Sequence, residues 1–342
     1  YSFGRPSSGG SKAAYPCKSY GQGRINPAYF YGIFDPNDMR RDVSITMTGS
    51  NGKGVEKLIP FVPNSKAEGG GLTLNKWDEN RQANPWVAAQ RKSGINGPYM
   101  RMSEVYLGYA EVCAALGDVV TGKQYLKTVR ERSFPQGLAD TDGFIASFGN
   151  DLVRAIIEER GFEYAGEGDR RWTLIRSGYL PEDIKRIKDM TKAMMDGLAT
   201  KGYYEFENGN IISAYIWTKL VDAKTIYGHR LTAQCPMDKV NDPVLYPGWR
   251  GQKDNWEEMG LNYGNSAPAT NLAIKGLFEI VSEEEAASLE SQGYAKVNWG
   301  IDLVDYRDEY DKYLFWDYDY VSAPIYLWPF TPNVMAAGGF TN

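Results

Sequence analysis

The sequence predicts a mainly α-helical chain: a tetratricopeptide-like helical scaffold with long irregular loops and a few short strands. Three observations predict it. The stretch RMSEVYLGYAEVCAALG at 101–117 carries apolar residues at helical spacing. A second helical run follows across the Gly117-Asp118 turn and continues to Glu131, which makes a helix-turn-helix hairpin. Residues 1–97 and 200–325 are rich in Gly, Asn, Asp and Pro, with little periodicity.

In the first helix Pro98 can occupy the opening turn, where its missing N–H costs nothing, and Gly117 ends the run. Met102, Tyr106, Tyr109, Cys113 and Leu116 recur at helical spacing, while Arg101, Glu104, Gly108 and Glu111 form one narrow polar stripe. Most of the circumference is apolar, so the helix is expected to be packed on several sides. The second helix is expected to start at Thr121, with Gln124 completing a capping box. Tyr106, Ala110, Cys113, Gly122, Leu126 and Val129 fall at the contact positions of a tetratricopeptide-type repeat, with Cys113 and Gly122 in place of the commoner aromatic and alanine. One such unit cannot bury its own faces and needs neighbours. Asn150 can cap a third helix over 151–165, and no second clean copy of the repeat follows.

Farther along, PEDIKRIKDMTKAMMDGL reads as an amphipathic helix whose Met190, Met194 and Met195 fill core space. In YYEFENGNIISAYIW, Asn208-Gly209 signals a hairpin turn, and Ser282 with Glu285 makes a capping box for a later helix. Before the scaffold, VSITM at 43–47 reads as a short strand, and Asp35, Asp38 and Asp42 with Arg40 and Arg41 read as an internal charge network. Three segments result: a loop-rich, ligand-facing part at 1–97, the scaffold at 98–200, and a loop-rich part at 201–342, packed as one compact unit.

Composition narrows the function. A net charge of −5 and the lack of a basic patch interleaved with aromatics argue against nucleic acid. No apolar run approaches the about 20 residues needed to cross a bilayer. Cys17, Cys113 and Cys235 allow one disulfide at most, and Cys113 on the apolar helical face reads as a small hydrophobe. His229 is the only histidine, which excludes a multi-histidine zinc site and leaves a catalytic triad dependent on one residue. Carboxylate pairs such as Asp317 with Asp319 or Glu257 with Glu258 keep a glycoside hydrolase open as a lesser reading. The acidic run from Asp302 through Asp311 lacks the glycine and terminal glutamate of a calcium loop and reads as a solvated helix face. No cofactor or metal is expected.

The order of blocks RMSEVYLGYAEVCAALGD, KTVRERS, IIEERGFEYAGEGDRRWTLIRSG and APIYLWPFTPN, spanning 99–333, resembles the SusD/RagB family of Bacteroidetes-type outer-membrane lipoproteins. Family members carry an arginine and two glutamates where Arg101, Glu104 and Glu111 stand, a Val-Arg-x-Arg run like 129–132, and a glutamate-arginine pair like Glu159 and Arg160. They continue with a segment like Gly168, Arg170, Leu174, Arg176 and Gly178, and close on an element like Leu327, Trp328 and Pro329. Two departures touch no binding role: Gly161 replaces a common second arginine, and the ending MAAGGFTN matches loosely. Because these blocks belong to the family's C-terminal part, the chain is expected to lack N-terminal repeats and the lipidated cysteine. The resemblance implies a SusD-like fold, a glycan ligand, a TonB-dependent (SusC-like) transporter as partner, and an outer-membrane, cell-surface location reached only through an N-terminal lipid anchor.

The ligand-binding candidates are aromatics on loops. The chain holds 24 Tyr and 9 Trp, and sugar recognition uses flat rings beside hydrogen-bonding side chains. Trp77 and Trp86 flank Asp78, Glu79, Asn80, Arg81, Gln82 and Asn84, and Arg81 joins them as a polar candidate. Tyr29 and Tyr31 precede them, and Trp249 and Trp256 form a second candidate platform. Trp217, Trp299 and Trp316 belong to the same loop-rich aromatic population. Two functions follow: non-catalytic capture of oligosaccharides for a transporter, or a helical-repeat scaffold that binds peptide or protein. Arg101, Glu104 and Glu111 are assigned to an internal network with Glu159, Arg160 and Arg170.

Overall fold

The computed structural model describes residues 23–50, 56–61, 71–77, 97–134, 136–222 and 270–305. Trp86, Arg81, Trp249, Trp256, Trp316, His229, Cys17, Cys235 and the Leu327-Trp328-Pro329 element lie outside them. The described part is mainly helical, with short strands. Two short helices, α1 (Pro27–Gly32) and α2 (Arg40–Ser44), lie in the stretch read from sequence as loop. Each holds barely one turn, too short for a period to register. Within 43–47 only β1 (Ile45–Thr46) is strand, pairing antiparallel with β4 (Thr73–Leu74), while β2 (Thr48–Ser50) pairs with β3 (Glu56–Leu58).

The predicted hairpin is present as α3 (Met102–Ala115) and α4 (Val119–Glu131), with Gly117 in the left-handed region at φ 87°. Its cap differs from expectation. The Asp118 carboxylate accepts from the Thr121 backbone N–H, so α4 starts before Thr121 and no Thr121–Gln124 box forms. Gly122 has a packing reason: a Cβ there would sit 3.0 Å from the Ala110 carbonyl oxygen and 3.2 Å from the Ala114 nitrogen, so the missing side chain lets the two helices approach. Cys113 is a free, buried thiol, as its apolar position suggests.

The expectation that α3 is packed on several sides is corrected. Leu107, Ala110 and Cys113 are buried, whereas Met102, Val105, Tyr109, Val112 and Leu116 are half or more exposed. The helix packs against α4 and α6 (Leu152–Glu163) along one side, and no described element covers the other. The α6 cap is Asp151, whose carboxylate accepts from the Arg154 N–H; Asn150 instead takes a left-handed φ of 64°. Between the hairpin and α6 lies α5 (Thr141–Ala146), which the sequence reading did not find.

The scaffold continues through α7 (Asp169–Ser177) to the long α8 (Leu180–Lys201). Met194 and Met195 of α8 are fully buried and Met190 packs at the core's edge. The hairpin read at Asn208-Gly209 is there: β5 (Tyr203–Glu205) pairs with β6 (Ile211–Ser213), with Gly209 at φ 81°. A three-stranded antiparallel sheet in the order β8 (Thr270–Lys275), β7 (Tyr215–Asp222), β9 (Ala295–Asn298) follows. The capping box of Ser282 and Glu285 starts α9 (Glu283–Ser291). On α10 (Gly300–Asp305), Asp302 is buried and accepts from Asn298 Nδ2, so at this residue the acidic run is packed rather than solvated.

One apolar cluster joins α1, β1, α8, β6, β7, β8 and α10 around Trp299, whose indole N–H donates to the Tyr31 hydroxyl at 2.9 Å. Trp299 and Trp217 are therefore core anchors. A second cluster fills the α3–α4–α6 angle with Leu107, Leu126, Val129 and Ile156. Between them runs α6, which buries three carboxylates, Glu158, Glu159 and Glu163. Glu159 accepts from Arg40 of α2 and from Arg130 of α4 at 2.9 Å. Glu158 meets Arg154, Arg170 and Arg186 at 2.9–3.1 Å. Arg160 pairs with Glu104 and Asp169, and Arg176 with Glu111. Of the network assigned from sequence, the Glu104–Arg160 pair forms as read, whereas Arg101 meets Glu163, Glu159 meets Arg40 and Arg130, Arg170 meets Glu158, and Glu111 makes an exposed pair with Arg176.

Removing a buried member of this network leaves its partners charged and unpaired. Glu159→Gln is expected to destabilise the fold by about 3–5 kcal/mol, read as a lower urea midpoint. A loss under about 1 kcal/mol would mean that Arg40 and Arg130 find other acceptors.

Candidate functional site

Strand β4 delivers the chain to Trp77. The Asn75 N–H donates to the Ser44 carbonyl at 2.7 Å, which ties the end of β4 to α2. Lys76 then reaches the C-terminal turn of α6, donating to the Glu163 carbonyl at 2.6 Å and pairing with the Glu167 carboxylate. Trp77, the next residue, is half-buried. Where the chain returns to the scaffold, Arg101 sits at the N-cap of α3 and binds the same groups. Its Nη1 meets Glu163 Oε1 at 2.6 Å, its Nη2 meets the Glu163 carbonyl at 3.0 Å, and its Nε and Nη2 bracket the Glu167 carboxylate at 3.1 and 2.8 Å. The guanidinium also lies over the Tyr164 ring, 4.9 Å from its centre.

Lys76 and Arg101 thus pin both ends of the 77–100 segment onto the last residue of α6 and the turn that follows it. Such a clamp fixes where the chain leaves β4 and where it enters α3. The electrostatics follow from the crowding. Burial by itself would raise the Glu163 carboxyl, but Arg40, Arg132 and Arg101 around it prevail and hold it at about 2. Burial lowers the Lys76 ammonium, against the opposing pull of Glu167.

The other described candidates fall elsewhere. Tyr31 has no exposed surface: its ring stacks on Phe206 and its hydroxyl accepts from Trp299, so it is a core residue and not part of a platform. An aromatic run without helical or strand period does not say which ring turns inward. Tyr29 is half-buried, its hydroxyl donates to the Gly161 carbonyl at 2.9 Å, and its ring meets Phe34 edge-on. It stands against α6. Gly161, the departure from the family pattern, is explained at the same place. A Cβ there would meet Arg170 Nη1 at 3.0 Å, so the bare position lets Arg170 cross α6 to the Ile157 carbonyl and Glu158. Sequence reasoning missed the Lys76–Glu167 contact; its only trace is a lysine directly before the candidate tryptophan.

The profile of the SusD family matches residues 4–330. The chain belongs to the SusD family. The match begins far ahead of the blocks at 99–333, so the loop-rich first third belongs to the family pattern as well. A SusD-like protein of Formosa agariphila is 28% identical over 160 residues, which is 46% of this chain and 26% of that protein. A crystal structure of a SusD homologue from Bacteroides thetaiotaomicron is similar at 23% identity and a TM-score of 0.35, over 46% of this chain and 34% of the other. The chain thus spans about a quarter and a third of the lengths of these two relatives. The SusD family's role is carbohydrate binding in nutrient uptake, generally without catalysis.

The depressed Glu163 carboxyl makes a signed prediction. Its folded value of about 2 lies below the ordinary 4.5, so its contribution to stability is complete above the ordinary value and lost as pH falls through the folded one. Urea midpoints should therefore drop between about pH 5 and pH 2, and Glu163→Gln should be less stable at neutral pH and flatter across that window. Equal acid slopes in the two proteins would assign the loss to other groups.

Proposed function

We propose that this chain captures oligosaccharides or polysaccharides at the bacterial cell surface without chemistry and passes them to a TonB-dependent outer-membrane transporter. Attachment to the outer membrane is through an N-terminal lipid. No described helix is long and apolar enough to cross a membrane. Membership of the SusD family across 4–330 supports the reading, and the observation that carries it is the clamp of Lys76 and Arg101 on Glu163 and Glu167. In this reading the clamp holds the ends of a segment whose Trp77, Arg81 and Trp86 meet the glycan. Stacking of a ring on a pyranose face, with hydroxyls bonded by neighbouring polar side chains, is capture at equilibrium and needs no acid or base. Trp249 and Trp256 form the second platform in this reading.

Native gels cast with a panel of polysaccharides test it. Retardation by at least one glycan, with no product released, is the expected result. Retention of a peptide mixture and of no glycan would replace this reading with a peptide-binding scaffold, and released sugar would identify a hydrolase. Trp77→Ala should weaken glycan binding by about tenfold or more, equivalent to about 1.4 kcal/mol.

The clamp can be separated from the platform. Glu167→Gln leaves the fold standing while halving the charge that Lys76 and Arg101 share, so glycan affinity should fall several-fold with a nearly unchanged thermal midpoint. A variant that binds as tightly as the parent would show that the loop needs no clamp.

A further inference from the structure

Away from Trp77, a groove of about 890 Å³ opens between the turn after α1, helix α5, helix α8 and the β5–β6 turn. Its volume suits an extended ligand of several residues. Phe144, Phe148, Met190 and Phe206 supply an apolar lining. Tyr204 lines the same wall, so the charges rather than the rings set the class of ligand.

The charges around that lining are unevenly matched. Every cation in the groove wall is already engaged: Arg130 by Glu159, Lys185 by Asp189, and Arg186 by Glu158 and Asp183. Among the anions, Asp35 and Asp140 accept only backbone N–H groups, from Asn37 and Gly143, and Glu207 is exposed in the β5–β6 turn. No described cation lies within ion-pair distance of these three carboxylates, which come from three separate elements. Two donors in the wall are also unspent: Arg130 Nε and Arg186 Nε are buried without a hydrogen-bond partner among the described residues, and Arg130 is itself 3% exposed.

We propose that this groove binds a basic peptide segment, a run in which Lys or Arg alternates with apolar residues, in addition to the glycan site. Aliphatic stems of Lys or Arg and the apolar side chains between them lie on the Phe and Met lining. Their ammonium or guanidinium heads meet Asp35, Asp140 and Glu207. A neutral glycan would supply the acceptors but no cation, and an acidic peptide would face three carboxylates with nothing to neutralise them.

The test uses fluorescence anisotropy with a labelled eight-residue peptide alternating Lys and Leu, beside its Glu-Leu counterpart. The chain should bind the Lys-Leu probe, with affinity falling as salt rises, and ignore the Glu-Leu probe. The triple variant Asp35→Asn, Asp140→Asn, Glu207→Gln preserves shape and the α5 cap, and should weaken binding at least tenfold. Ala193→Trp, placed on the groove wall of α8, should block it without touching the carboxylates. Glycan retardation in gels should be unchanged in both variants, which keeps this outcome separate from the glycan reading. The proposal is overturned if neither variant weakens binding, if both probes bind equally, or if the Lys-Leu probe does not bind at all.

Discussion

Three carboxylates buried on one helix constrain most of what surrounds them. An unpaired carboxylate in a protein interior is too unfavourable to persist, so Glu158, Glu159 and Glu163 each dictate where cations must stand. Glu159 draws in α2 through Arg40 and α4 through Arg130, Glu163 takes Arg40, Arg101 and Arg132, and Glu158 takes Arg170 and Arg186 from α7 and α8. An apolar α6 would bury as much surface, and by stability alone the exchange can be neutral or better. It would not set the rotation of five neighbours about its axis. Directional arginine–carboxylate bonds do, and the two apolar clusters on either side can then be packed without being one continuous core.

The same helix end fixes where two flanking segments meet the scaffold. Because Glu163 must be compensated, Arg101 is held at the start of α3. Because Glu167 lies one turn beyond, Lys76 is held at the end of β4. The placement of Lys76 and Arg101 is thereby set by the end of α6 and the turn after it.

Local signals were legible from the residues, and tertiary ones were less so. The α3–α4 hairpin, α8, the Asn208-Gly209 turn and the Ser282–Glu285 box each rest on contacts within a few residues, and each stands as read. Caps were misread by three positions and by one where a neighbouring aspartate outcompeted the chosen residue: Asp118 lies three residues before Thr121, and Asp151 one residue after Asn150. Short helices such as α1, α2 and α5 hold too few turns for periodicity to appear. Ring placement was the least readable property. Tyr31 and Trp299 lie beside Gly and Asn in stretches that resemble loop, and Trp217 lies on a strand, yet long-range packing buries all three. The apolar circumference of α3 pointed to packing on all sides, whereas the structure buries one side and leaves Met102, Val105, Tyr109, Val112 and Leu116 open.

The ion pairs of α6 also explain the character of the groove beside α8. Arg130 and Arg186 reach toward α6 and are neutralised there, so they contribute shape and hydrogen-bond donors to the groove wall but no net positive charge. Asp35, Asp140 and Glu207 stand on a turn, a helix cap and a hairpin, where no arginine of the network reaches. Their charge is therefore left facing the groove by the way the interior was balanced. A ligand that carries cations on apolar stems completes that balance from outside, using the same pairing of guanidinium or ammonium with carboxylate that organises the helix within.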